Sequence, residues 1–261
     1  YYNESQEWWN HKLMEDFSVA NQKFFASGDI IYSDDFYPYC VYANTKLAMD
    51  VGINDNFYDK VREKEWTLEQ LHEYAVMGQG ELDGDGAYTV NDRHGAVVNS
   101  NFAKAVYYSS GRGMIYLDSA GYPTWAMERE HAQNVLEKII NAWHNDNAFW
   151  NASNTISGLN HAQTELRLFN ESKALFLAEE LIISERIRKS ENALQDFAIL
   201  PMPLYEKGGE YISMLNDAVV ISVPQMCDGK ENISLLLSAM GRASVNTLTP
   251  AFFENVLSHQ Y

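Results

Sequence analysis

Hydrophobic positions change period repeatedly along the chain, and the changes divide it into short strands and amphipathic helices. Five apolar runs are short, rich in β-branched or aromatic residues and bounded by polar or turn residues, as strands are: YCVYA (39–43), GAVVN (95–99), KALFLA (173–178), DFAIL (196–200) and AVVISV (218–223). The strongest helical pattern is REHAQNVLEKIINAWHN. In it Ala132, Val135, Leu136, Ile139, Ile140 and Trp143 recur at i, i+3, i+4, i+7, i+8 and i+11, which predicts one buried face. In WTLEQLHEYAVM, Thr67 precedes Gln70 by three residues, the capping-box spacing that satisfies free amides at a helix start. ILPMPLYEKGGEY carries two prolines and two glycines after a strand pattern and predicts an irregular crossover. Strands alternating with helices, without internal repeats, predict an α/β protein.

The helix predicted to begin at Thr67 leads into ELDGDGAYTVND, residues 81–92, with four carboxylates and two glycines. In the register of an EF-hand loop, Glu81, Asp83, Asp85, the Ala87 carbonyl, Thr89 and Asp92 take the ligand positions and Gly86 the sharp turn. The departures are a long Glu at the first position, a short Asp at the last and only a hydroxyl at Thr89. A Gly/Asp-rich turn with its carboxylates in water accounts for the same residues. An ion bound here would be Ca²⁺ in a structural role, tying the loop together.

The 261 residues suffice for one large domain or two lobes. With 19 Lys+Arg against 36 Asp+Glu, the net charge of −17 repels a polyphosphate backbone and excludes nucleic acid as a partner class. There is no run of about 18 apolar residues to span a bilayer. The opening residues YYNESQEWWNHK lack the order of a signal peptide. Cys40 and Cys227 are in no metal-type spacing, and free or bridged thiols both fit. The seven histidines lack zinc spacing, and no G-x-S-x-G, H-E-x-x-H or Walker motif occurs.

Several segments, in order, carry a family resemblance: EWWNHKLMEDFSVANQKFFASGDI, YCVYANTKLAMDVGI with KEWTLEQLHEYA, ELDGDGAYTVNDRHG, NESKALFLAEELIISERI, DFAILPMPLYEKGGEYIS and LTPAFFENVL. The chain resembles the extracellular solute-binding proteins of bacterial carbohydrate ABC importers, the group similar to maltose-binding protein. The resemblance implies a two-lobed, type II periplasmic-binding-protein-like α/β fold with hinge crossovers. It also implies a monomer that clamps a sugar between its lobes and delivers it to permease subunits. The location would be periplasmic, or extracellular on a lipid anchor. Some members carry a calcium loop of this kind, but with carboxylates where this chain has Thr89 and Val90. Such proteins are longer, so the resemblance implies a fragment incomplete at both ends. Residues 1–36 and 214–261 would form a partial first lobe and 37–213 the second, with crossovers at 37–42 and 210–215.

A sugar site needs flat aromatic faces and polar partners for hydroxyls, placed near the crossovers. Asp34, Asp35 and Tyr37 precede the first crossover, and a solvated acidic loop explains them equally. Asn101 and Phe102 open the helix after residues 95–99, where Phe102 also suits a helix-to-sheet core contact. Glu179 and Glu180 end strand 173–178, where relatives often carry glycine and a stacking tryptophan. They are acceptors for hydroxyls or for a basic ligand, unless Glu180 merely caps the next helix. Asp217 follows the second crossover, and Trp9 belongs to a WW pair that packing explains better than ligand contact. Non-catalytic binding is the leading reading. A glycoside hydrolase would need carboxylates about 5 to 9.5 Å apart, which adjacent Glu179 and Glu180 cannot supply. A calcium-stiffened surface adhesion module is the remaining class.

Overall fold

The computed structural model describes residues 6–31, 36–144, 147–189, 194 and 196–254. Asp34 and Asp35 lie outside the described residues, as does the side chain of Trp143. The chain divides into two compact units. One comprises Tyr1–Tyr37, Met114–Ala126 and Asp217–Tyr261, the other Pro38–Gly113 and Met127–Asn216. Residues 114–126, which the sequence reading left inside the second lobe, group with the terminal segments.

The first half of the chain forms α1 (His11–Asp16), β1 (Tyr39–Asn44), α2 (Thr45–Asp50), α3 (Phe57–Arg62), α4 (Leu68–Gly78), β2 (His94–Val98), α5 (Ser100–Ser109), β3 (Ile115–Leu117) and β4 (Pro123–Trp125). The second half forms α6 (Arg129–His144), β5 (Phe149–Asn151), α7 (His161–Asn170), β6 (Ala174–Glu180), α8 (Ile183–Lys189), β7 (Phe197–Pro201) and α9 (Lys230–Phe252). In the larger unit a mixed sheet has the order β5-β2-β6-β1-β7. β2 is parallel to β5 and β6, and β1 is antiparallel to both β6 and β7.

Every residue of β1 and β2 is buried, as are the first five of β6. Both sheet faces are covered, so these strands read as unbroken apolar runs rather than alternating ones. Leu177 belongs to a cluster with Tyr42, Val97, Leu168, Phe169 and Ile187. Phe176, its neighbour in the strand, points the other way and meets Phe57 and Trp66, each with ring centroids 5.8 Å away. Trp66 is fully buried, and its indole N–H donates to the Pro201 carbonyl at 3.0 Å. The backbone of Trp66 also accepts from Leu204 N at 2.9 Å, which fixes the path of the irregular crossover after β7.

Four of the five predicted strands form. Residues 218–223 do not: their pairing among the described residues is one bridge, Ala26 to Ile221, and Val219 and Val223 are 46% and 39% exposed. A strand needs a neighbour along its length, and one rung does not make a ladder. β5 escaped the sequence reading because three residues, FWN, are too few to show a period, and its pairing with β2 makes it a strand. On α6 the buried line is Val135, Ile139 and Ala142, whereas Leu136 and Ile140 are 52% and 49% exposed. The helix packs on α4, α5 and β5 along one side, so the buried stripe is narrower than its apolar pattern.

Helix starts follow their caps. Thr67 Oγ1 accepts from Gln70 N at 3.2 Å as expected, but the Gln70 side chain donates to Glu73 instead, so only half of the predicted box forms. A complete box closes α7, where Asn160 and Gln163 exchange bonds of 2.9 and 3.0 Å.

In the smaller unit, Asn10 caps α1 through Leu13 N, and Trp9 is buried and bridged to Gly28. Ile115 pairs with Trp125 across the β3-β4 hairpin. Gly241 of α9 lies so close to the Trp8 ring that an added Cβ would stand 2.3 Å from it. Both cysteines are free thiols. Among the described residues no helix is long and apolar enough to cross a membrane.

Gly95 sets the approach of α4 to β2: a Cβ there would stand 1.9 Å from the Ala75 carbonyl oxygen. Gly95→Ala is therefore expected to lower stability by about 1–3 kcal/mol, as overpacking against backbone does. The check is a shift in the denaturant midpoint at constant slope, and an unchanged midpoint would refute the tight contact.

Candidate functional site

Because β5, β2 and β6 run parallel, their carboxyl ends at Asn151, Val98 and Glu180 share one edge of the sheet. The start of β1 joins that edge, since Tyr39 pairs with Glu180. In open α/β sheets this is the edge at which ligands bind.

Asn99 follows β2 directly and organises the edge. Its Oδ1 accepts from Asn101 N at 2.9 Å, capping α5, and from the Tyr39 hydroxyl at 3.0 Å. Its Nδ2 donates to Glu179 Oε1 at 2.7 Å. The other oxygen of Glu179 accepts from Glu180 N at 2.8 Å. Glu180 in turn accepts from the Asn216 amide at 2.5 Å. Tyr39 also reaches the Ala178 carbonyl, 2.7 Å away, and burial followed by the charge of Glu179 holds its hydroxyl protonated. The Cys40 thiol donates to the Glu179 carbonyl at 3.4 Å, and burial pushes it up to about 12.

A third carboxyl completes the cluster, and the strand patterns gave no hint of it. Helix α7 packs on β6 and brings Glu165 there, 3% exposed and beside Glu179 and Asn99. Burial first, and the Glu179 charge second, raise the Glu165 pKa well above the carboxylate range, so it keeps its proton at neutral pH. Its Oε1 is buried with no hydrogen-bond partner among the described residues. A cavity of about 300 Å³ lies beside it, lined by Asn160, Gln163, Glu165, Leu177, Glu179 and Arg186 among others. A signal for Glu165 exists in HAQTELRLFN: Leu168 and Phe169 stand three and four residues on, so Glu165 shares their buried helix face.

The other candidate residues scatter. Tyr37 is half-buried and groups with the smaller unit. Asn101 is half-buried, and its side chain accepts from Lys104 at 2.9 Å. Phe102 lies in the core with its ring 5.9 Å from Phe149, the packing alternative weighed above. Asp217 is exposed and Trp9 buried, both in the smaller unit, and Asp35 lies outside the described residues. Only Glu179, Glu180 and the backbone of Asn101 come together.

The acidic loop divides into two halves. Glu81, Asp83 and Asp85 are exposed, and each brings a carboxylate oxygen within 4.8 Å of the others, an arrangement that fits a hard cation. Ala87 is exposed, and its amide donates to Asp85 at 2.7 Å. Asp92 and Thr89 instead face the loop itself. Asp92 is buried and accepts from Leu82 N and Thr89 N, both at 2.8 Å, and those amides hold its carboxyl below the usual range. Thr89 Oγ1 accepts from Asn91 N at 3.1 Å. Next to Asp92, buried His94 stacks on Trp150 with centroids 4.5 Å apart and donates from Nε2 to the Thr89 carbonyl at 2.9 Å. Burial lowers its pKa to about 4, so the ring stays neutral.

No protein-family model and no curated protein matches the sequence. Solved structures do match. UspC of M. tuberculosis superposes with a TM-score of 0.59 at 12% identity over 97% of this chain and 62% of its own. The ABC substrate-binding protein Lmo0181 from Listeria monocytogenes, in complex with cycloalternan, gives 0.55 at 12% identity over 89% of this chain and 52% of its own. The maltose/maltodextrin-binding domain MalE from Bdellovibrio bacteriovorus, bound to maltotriose, gives 0.52 at 16% identity over 85% of this chain and 51% of its own. The chain has the type II periplasmic-binding-protein fold. It spans between 51% and 62% of the length of these proteins. In this periplasmic-binding-protein fold the larger unit supplies the sheet whose carboxyl edge holds Asn99, Glu165, Glu179 and Glu180.

Glu165 binds a proton in the folded chain that it releases in the unfolded one above its ordinary pKa of 4.5. Folding stability from this group is therefore full below about 4.5 and falls as pH rises from there to about 9. Glu165→Gln keeps the shape and removes the titration, so it is expected to be more stable than the parent at about pH 8, with the gap closing near pH 4 to 5. Thermal melts of both chains across that range provide the check, and parallel profiles would sink the assignment of a protonated Glu165.

Proposed function

We propose that the protein is the ligand-binding component of an ABC-type importer, taking up a sugar or oligosaccharide and delivering it to membrane permease subunits. The observation that carries this reading is the polar cluster at the carboxyl edge of the sheet, in a fold shared with proteins solved with maltotriose and cycloalternan. Carboxylate oxygens oriented by amides make charge-assisted hydrogen bonds to hydroxyls, which the ring of a sugar presents. On this reading the chain works outside the cytoplasm as a monomer, in the periplasm or on a lipid anchor.

The same cluster speaks against glycoside cleavage. Hydrolase carboxyls stand about 5 to 9.5 Å apart with the sugar or a water between them. Glu179 and Glu180 are adjacent in β6, and each is held by a side-chain amide, that of Asn99 or Asn216, which suits their carboxylates to holding a ligand. A thermal-shift screen against an oligosaccharide panel is expected to show saturable stabilisation by at least one member, because ligands of the native state raise apparent stability. Product analysis of the same mixtures is expected to show no cleavage. Turnover would replace the receptor with an enzyme, and no stabilisation across the panel would remove the sugar.

The exposed carboxylates favour one further assignment, a structural Ca²⁺ held by Glu81, Asp83 and Asp85. The hydrogen bonds of Asp92 and His94 pre-shape the loop around those ligands. Calcium at about 1 mM, the range of extracellular modules, is expected to raise the melting temperature. The double substitution Asp83→Asn with Asp85→Asn is expected to abolish the rise. Equal melting with calcium and with chelator would rule the ion out.

A further inference from the structure

The chain first enters the larger unit at Pro38 and last leaves it after Asn216, and inside that unit the two passages lie side by side. On one flank of β1, β7 ends at Pro201 opposite Cys40, and residues 214 and 215 take its place. There Tyr39 N donates to the Met214 carbonyl at 2.8 Å, and Pro38 bridges Leu215. On the other flank, β6 ends with Glu180 opposite Tyr39, and Leu181 N reaches the Pro38 carbonyl at 3.0 Å. Pro38 has no N–H to add another rung where the chain enters.

A side-chain bond takes over from the backbone ladder. Asn216 Nδ2 donates to Glu180 Oε1 at 2.5 Å, and because the two residues belong to opposite flanks of β1, the bond crosses the start of that strand. Its anchor is fixed: the Glu180 carbonyl accepts from the buried Tyr42 hydroxyl at 2.8 Å. Its acceptor is a carboxylate, which makes stronger hydrogen bonds than a neutral oxygen does. Both residues are half-buried, so water competes for the bond only in part.

We infer that Asn216 is a positioning residue whose amide straps the two passages together, so that the chain enters and leaves the larger unit from one tied point. Glu180 then serves the path of the chain as well as the row of carboxylates at the sheet edge. The inference goes beyond the sugar reading and does not depend on it, because the strap is read out on the protein alone.

The test is amide hydrogen exchange of the full 261-residue chain, followed by NMR at neutral pH. The probe is the Tyr39 amide, which loses its Met214 acceptor when the crossover lifts. The controls are the amides of Ala96 and Leu204, bonded to the Ala148 and Trp66 carbonyls at 2.9 Å each. Asn216→Ala is expected to speed exchange at Tyr39 about tenfold or more, the worth of a hydrogen bond to a charged group, and to leave the controls within about twofold. Asn216→Asp sets a second carboxylate against Glu180 and is expected to act alike. Adding Glu180→Gln to Asn216→Asp restores a donor–acceptor pair with its direction reversed, and is expected to bring Tyr39 back within about threefold of the parent. A residue that merely filled space would show no such rescue. Should Asn216→Ala fail to fold, Asn216→Asp and the double variant decide the question. Unchanged exchange at Tyr39 in the single variants, equal acceleration at Tyr39 and the controls, or no recovery in the double variant would overturn the strap and leave the sugar receptor standing.

Discussion

A tyrosine hydroxyl inside a protein must find an acceptor, and strand β1 buries two of them in the middle of the sheet. Tyr39 turns to the Ala178 carbonyl, and Tyr42 to the carbonyls of Glu180 and Leu181, each 2.8 Å away. Tyr42 also accepts from Ser184 N at 3.1 Å at the start of α8. These bonds secure the last residues of β6 and the turn after it. The two glutamates there are consequently held by the sheet's interior rather than by a loose loop. The antiparallel insertion of β1 between β6 and β7 makes this possible, because it sets Tyr39 opposite Glu180.

That fixed strand end gathers negative charge. Glu179 is oriented by Asn99 and by the amide of Glu180, and α7 brings Glu165 to the same strand. Two carboxyls in a dry site are tolerated when one is neutral, and Glu165 is the one that burial keeps protonated. The cluster is thereby a packing element of the α7–β6 contact. In a chain of net charge −17, the long-range field also favours cationic partners over anionic ones.

The acidic loop follows the same economy on a smaller scale. Asp92 joins its two ends through backbone amides, and His94 anchors it to the sheet by stacking on Trp150. The exposed carboxylates of Glu81, Asp83 and Asp85 are left on the outer side, where water or a cation can reach them. Its ends are held from within even where its charges face outward.

Much of the fold was legible along the chain. β1, β2, β6 and β7 announce themselves because strands covered on both faces must be continuously apolar. Thr67 marks a helix start because the chemistry of a cap is local. Glu179 and Glu180 stood out as charges ending such a run. What stayed hidden depends on neighbours distant in sequence. Residues 218–223 have strand composition but only one rung of pairing, while the three residues of β5 gain their state from β2. Leu136 and Ile140 on the apolar face of α6 are in solvent because its contacts run along one side. Glu165 is the sharpest case. Its helical pattern sets which face it shares, but its buried, protonated state exists only because that face docks against Glu179. The sequence determined most of the strand and helix positions, since periodicity and capping act within a few residues. The tertiary structure alone decided which carboxyls meet, since burial and charge coupling act through space.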